Sequence, residues 1–176
     1  MVQLFYHEKI ELLDLGLRGG VFMNTGRYDY KIICYYVIGY CQLLEKNVTN
    51  LQLQKILYYV QGYSLKFSGT PAFDSVIEAW QYGPVVPEAY YDYCINGRNP
   101  LTVADPENAI NRIDEKSDRK VLNKIIKACT EMAIGTLVDK THKEDPWKNT
   151  SGFKEVISVD KIYHYFSEHD PLDIGE

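Results

Sequence analysis

The chain has 176 residues and a mass of 20.3 kDa, which suits a single domain with a short extension, and its 45% hydrophobic content predicts a folded core. The formal net charge of −5 argues against a dedicated nucleic-acid-binding protein, because neutralising phosphates requires clustered Lys and Arg. The longest uncharged run, residues 32–44, is too short to span a membrane. One residue type is unusually frequent: 15 residues are tyrosine.

Residues 1–27 differ from the rest in having a weak hydrophobic pattern. One interpretation is that the native product starts at Met23 and that residues 1–22 are an extension. The other is that residues 4–17 form a genuine amphipathic helix. We leave both interpretations open.

The next segment predicts two long helices. Asp29 can cap a helix over residues 29–46 whose apolar residues cover most of its circumference, so this helix should lie centrally. Thr49 and Gln52 form the capping box of a second helix over residues 51–67.

The remainder predicts shorter elements. A strand at 76–80 combines β-branched and aromatic residues, and a Gly-Pro corner precedes the third helix. Further helices are expected at 87–97, from 117, at 136–142 and from 159. The fold class is therefore mainly α, a single compact helical domain of about six helices with a minor short β element near residues 76–80. We assign the domain to residues 28–167, with a tail at 168–176.

The four cysteines contain no C-x-x-C pair, which argues against a zinc site or a thioredoxin-type motif. If Cys34 and Cys41 share a helix, they lie too far apart for a disulfide. Free thiols in a tyrosine-rich core are typical of a reducing environment, so we expect a cytoplasmic protein. We also expect neither a metal nor a cofactor.

The sequence contains none of the common catalytic motifs. His142 with Glu144 and Asp145 resembles a fragment of a metal-dependent or acid–base site, and an enzyme centred on His142 is the competing hypothesis. A role for His142 at the surface or at a helix end is favoured, because no second histidine lies near it in the sequence.

The tyrosines favour a protein-binding function. They cannot all point into one core, and exposed tyrosine with few charges is typical of protein interfaces. A base-stacking surface would need a basic groove, which the sequence lacks, so nucleic acid is an improbable partner. We expect the anchors of the binding surface to be Tyr58, Tyr90, Tyr91 and Tyr93.

Lys55 lies within an otherwise apolar run of the second helix. We predict that it forms a structural ion pair with Glu78 or Asp74, beside Trp80.

Three blocks of sequence, at residues 53–62, 78–87 and 141–147, occur in an order that resembles the Panacea domain family. The family includes SocA-like antitoxins and GepA-like proteins of phages and mobile elements. The middle block, Glu78 to Pro87 around Gly83-Pro84, is the most specific. The resemblance does not cover residues 1–27 or the tail.

The resemblance implies a non-enzymatic antitoxin that neutralises a toxin, usually encoded by the adjacent gene, by direct binding. An alternative that it also implies is an adaptor that delivers its toxin to a protease. A transcriptional repressor would need an additional DNA-binding element. Trp80 and Trp147 are expected to be core anchors. The family blocks imply the following scaffold residues: Lys55, Glu78, Trp80, Tyr82, Gly83, Pro84, His142 and Trp147.

Overall fold

The structure is a computed structural model that describes residues 26–150 and 152–175, and this part of the chain forms eight α-helices and one three-stranded antiparallel sheet. The prediction of a mainly α fold with a minor β element is therefore confirmed. The helices are α1 Tyr30–Leu43, α2 Asn50–Ser68, α3 Pro87–Tyr93, α4 Pro106–Ile110, α5 Lys116–Glu131, α6 Ile134–Lys143, α7 Asp145–Lys148 and α8 Val159–Glu168, with a 3-10 turn at Cys94–Asn96. The strands are β1 Ile77–Trp80, β2 Gly83–Val85 and β3 Glu155–Ile157.

Helix α2 is the centre of the fold. It begins with the predicted capping box at Thr49 and ends at Gly69 in the left-handed conformation. Most of its residues are buried, because α1, α5, α6, α8 and β2 all pack around it. Two buried glutamines satisfy backbone groups of the neighbouring loops: Gln54 accepts a hydrogen bond from Val86, and Gln61 accepts one from Ala72.

The predicted strand at 76–80 is β1, which lies in the middle of the sheet. Its two partners were not predicted. Strand β2 pairs Glu78 with Val85, and β3 pairs Ile77 with Ile157. Both partners have only three residues, and a run so short leaves no alternating pattern for sequence reasoning to detect.

Helix α8 docks on α2 through aromatic packing. The ring of Phe166 meets the rings of Tyr58, Tyr59 and Tyr63 at 5.2–6.2 Å in edge-on geometry. Gly62 permits this approach, since a Cβ at that position would overlap the Phe166 ring. Tyr58 therefore belongs to the core, and its predicted exposure is wrong.

The two chain ends are described to different extents. The prediction about residues 1–22 lies outside the described residues. The predicted tail packs against the domain as far as residue 175: Tyr63 donates a hydrogen bond to Asp170, and Lys124 donates one to the carbonyl oxygen of Ile174. No helix in the described ranges has the length and apolar character needed to cross a membrane.

Candidate functional site

Lys55 is a lysine without any exposed surface, at the contact between α2 and β2. Its ammonium donates a hydrogen bond to the Pro84 carbonyl oxygen at 2.9 Å. Lys55 forms no ion pair with any described residue, so the predicted pair with Glu78 or Asp74 is wrong. The Glu78 carboxylate instead accepts a hydrogen bond from the Trp80 indole N–H at 2.7 Å, and Asp74 accepts one from the Gly26 amide. Burial lowers the pKa of Lys55 to about 7, since transfer out of water disfavours the charged form.

Gly83 makes room for Lys55. Its φ of +101° is a conformation that residues with a Cβ rarely adopt. A Cβ at Gly83 would lie 2.7 Å from Lys55 Nζ and 2.8 Å from Thr141 Oγ1. The Gly-Pro corner of the middle block is therefore shaped around a side chain from the first block and one from the third.

His142 lies in the last turn of α6, as the helix-end interpretation predicts. Its ring stacks on Trp147 with centroids 4.0 Å apart, and Trp147 donates its indole N–H to the Trp80 carbonyl oxygen at 3.0 Å. His142 Nε2 is buried and makes no hydrogen bond. Burial and then the charge of Lys55 lower the pKa of His142.

Glu144 is the second buried charged residue of this region, and the sequence analysis saw it only as a neighbour of His142. Its Oε1 accepts a hydrogen bond from the Tyr59 hydroxyl at 2.8 Å. Its Oε2 and the Tyr58 hydroxyl both lack a hydrogen bond of normal geometry. Burial raises the pKa of Glu144 to about 7.

These contacts describe a polar centre that joins α2, β2 and the end of α6. No group of three or more metal-ligating side chains occurs among residues 26–150 and 152–175. Lys55 has no exposed surface, whereas Glu144, although almost fully buried, borders a cavity of about 670 Å³ that Lys140 and His169 also line.

A group of aromatic side chains lies on the surface directly outside this centre. We call Trp80, Tyr90, Tyr91 and Phe153 the aromatic surface cluster. The Trp80 ring contacts the other three, with centroids 4.9, 6.2 and 6.3 Å apart respectively. Tyr91 is 58% exposed and Phe153 is 70% exposed. A cavity of about 560 Å³ adjoins the cluster between Phe153 and Trp147.

The cluster includes some of the predicted residues and not others. Tyr90 and Tyr91 belong to it, Tyr93 is half-buried against the core, and Tyr58 has no exposed surface. Trp80 was expected in the core, but it is half-buried within the cluster. The core prediction is therefore wrong for Trp80.

Two further residues complete the description of this surface. Phe153 was missed, because it lies 73 positions from Trp80 in the sequence and only the pairing of β3 with β1 brings it there. Tyr82, a predicted scaffold residue, is highly exposed at the turn between β1 and β2.

Comparison with known proteins identifies the class. Residues 53–148 match the family described as Antitoxin SocA-like, Panacea domain. The match covers more than half of the chain, which therefore belongs to this family. It contains Lys55, Gly83, His142 and Trp147, the residues that assemble the polar centre.

One relative is the antitoxin SocA of Caulobacter vibrioides (strain NA1000 / CB15N). It is 32% identical over 88 residues, which are 50% of this chain and 43% of the relative. The aligned part is thus less than half the length of that protein. No solved structure gives a significant match.

Proposed function

We propose that this protein is an antitoxin that neutralises a toxin by direct protein–protein binding, and that the aromatic surface cluster is the centre of the interface. Membership of the antitoxin family supports the general function. The observation that supports this binding site is that the four aromatic rings of the cluster are in contact and two of them are largely exposed. Large aromatic side chains at the centre of an interface supply most of the binding energy in typical complexes.

The position of the cluster supports the same proposal. Trp80 and Tyr91 lie within the segment that matches the antitoxin family, and the polar centre directly beneath them fixes the backbone of β1 and β2. A rigid support reduces the entropy lost when a partner binds. The net charge of −5 would accelerate the encounter with a basic surface of a toxin.

The test is to co-express the chain with the product of the neighbouring gene and to measure both growth rescue and co-purification. We expect the wild type to restore growth and to form a stable complex. The double variant Tyr91→Ala/Phe153→Ala should weaken binding at least tenfold, about 1.4 kcal/mol or more, mainly through faster dissociation.

Tyr163→Ala is the matched control, because Tyr163 is a tyrosine of α8 that is 41% exposed and makes no ring contact with the cluster. It should bind like the wild type. An equal loss of affinity in both variants would show that the cluster is not the centre of the interface. A toxin that stays lethal and does not co-purify with the chain would refute direct binding. Measuring the lifetime of the toxin with and without the chain separates sequestration from delivery to a protease.

A further inference from the structure

The aromatic surface cluster already holds a cation. Lys154 Nζ lies 4.5 Å from the centroid of the Trp80 ring and 5.5 Å from that of Phe153. Both distances are within the range of a cation–π interaction. Lys154 is exposed, so a second cation can approach its position from solvent.

The backbone directs Lys154 to this place. Gly152 has a φ of +106° and Lys154 a φ of +65°, and the Lys154 amide donates a hydrogen bond to the Ala79 carbonyl oxygen at 2.8 Å. A positive φ is uncommon for a residue with a side chain. Here it places the Lys154 ammonium over the Trp80 ring of the neighbouring strand β1.

A hydrogen bond at the edge of the Trp80 ring favours the binding of a cation to the face of that ring. The indole N–H donates to the Glu78 carboxylate at 2.7 Å. A carboxylate that accepts from the indole N–H increases the electron density of the ring, and this strengthens the attraction of its face for positive charge. Glu155, next to Lys154 in the chain, adds a further exposed carboxylate.

We infer that the partner presents an arginine side chain to the face of Trp80, and that Lys154 occupies this position until the partner displaces it. This inference rests on the proposed function and names the chemistry of the partner at that site. Arginine fits better than lysine, since its planar guanidinium stacks on aromatic rings and is more weakly hydrated than an ammonium. An exposed cation–π contact is weak enough to be exchanged in this way.

The first experiment measures the affinity for the co-purifying partner with Lys154→Met, which keeps an aliphatic stem and removes the charge. Binding should tighten about two- to fivefold, because the arginine no longer competes with an internal cation. Lys148→Met is the matched control: Lys148 lines the cavity beside the cluster, is exposed, and makes none of the cation–π contacts found within the described residues. It should not tighten binding.

The second experiment replaces each exposed arginine of the partner by alanine and combines it with Trp80→Phe in double-mutant cycles. We expect one arginine to be coupled to Trp80, and its replacement to abolish the gain from Lys154→Met. Unchanged or weaker binding of Lys154→Met, or no arginine coupled to Trp80, would overturn the inference while the complex itself remains.

The third experiment needs no partner. N-acetylarginine amide is titrated into the chain while the two indole N–H signals are followed by NMR, with N-acetylnorleucine amide as the uncharged control probe. The Trp80 signal should shift with the arginine probe alone, and more in Lys154→Met than in the wild type. If Trp80 responds to the arginine probe but the chain forms no complex in the co-purification test, the cation site is supported and the proposed function is refuted. No Trp80 response in either protein would count against the cation site.

Discussion

Replacing Gly83 by alanine should be among the most destabilising single changes in the protein. The Gly83→Ala variant would carry the cost of a φ of +101°, and its new Cβ would displace Lys55 from its hydrogen bond with the Pro84 carbonyl. Backbone strain and a disrupted buried hydrogen bond together should lower the free energy of unfolding by about 4 kcal/mol. For a domain of this size, that corresponds to a decrease in Tm of about 8–16 °C, measurable by thermal unfolding followed by circular dichroism.

Gly97→Ala is the matched control, since Gly97 also has a positive φ but no atom lies within 4 Å of its Cβ position. It should cost only the backbone strain, about 1–2 kcal/mol. Equal losses in the two variants would contradict the steric part of the argument.

Lys55 should make stability depend on pH above neutrality. Its pKa is about 7 in the folded state and near its ordinary value, about 10.4, in the unfolded chain. Between these values the unfolded state binds the additional proton at this site, so the contribution of Lys55 to the free energy of unfolding rises with pH. From pH 7.5 to 9 this contribution should rise by about 2 kcal/mol, measured by urea unfolding as the difference between the wild type and Lys55→Met. The difference is needed because burial raises the pKa of the Cys34, Cys41 and Cys129 thiols, and this lowers stability as pH rises through the same range.

Lys55→Met should remove this rise, because Met fills a similar volume without titrating. Lys46→Met, at an exposed position after α1, should keep the slope of the wild type. Parallel curves for wild type and Lys55→Met would show that Lys55 does not control stability in this range.

Glu144 changes the free energy of unfolding in the opposite direction, at lower pH. Its pKa is raised to about 7, so the folded state binds the additional proton between about pH 4.5 and 7, and stability falls as pH rises through that range. Restricting the Lys55 measurement to pH 7.5 and above reduces this contribution. The combined contribution of these two buried groups to stability is therefore lowest near pH 7.

The interface that we propose was only partly predictable. Tyr90 and Tyr91 could be found, because they are adjacent residues within a Pro-initiated helix and cannot both be buried. Tyr58 could not be assigned correctly: helical spacing treats Tyr58 and Tyr59 as facing different directions, but α8 and the end of α6 cover both. Phe153 carries no signal of its own in the sequence.

The sequence alone determined the local structure that short-range physics fixes. The Asp29 cap and the Thr49 capping box mark where two helices begin, because each side chain bonds a backbone amide two or three residues away. The blocks around Lys55, Gly83 and Trp147 also identify the family from the sequence, and all three lie within the segment that matches it.

Tertiary structure alone decided the environment of those same residues. Lys55 binds a carbonyl rather than a carboxylate, and Trp80 lies in a surface cluster rather than in the core. Both outcomes depend on segments that meet from distant parts of the sequence, where β1 pairs with β3 and α6 ends against β2. The burial and partners of a side chain are set by all the elements around it, and the spacing of residues within one element does not contain that information.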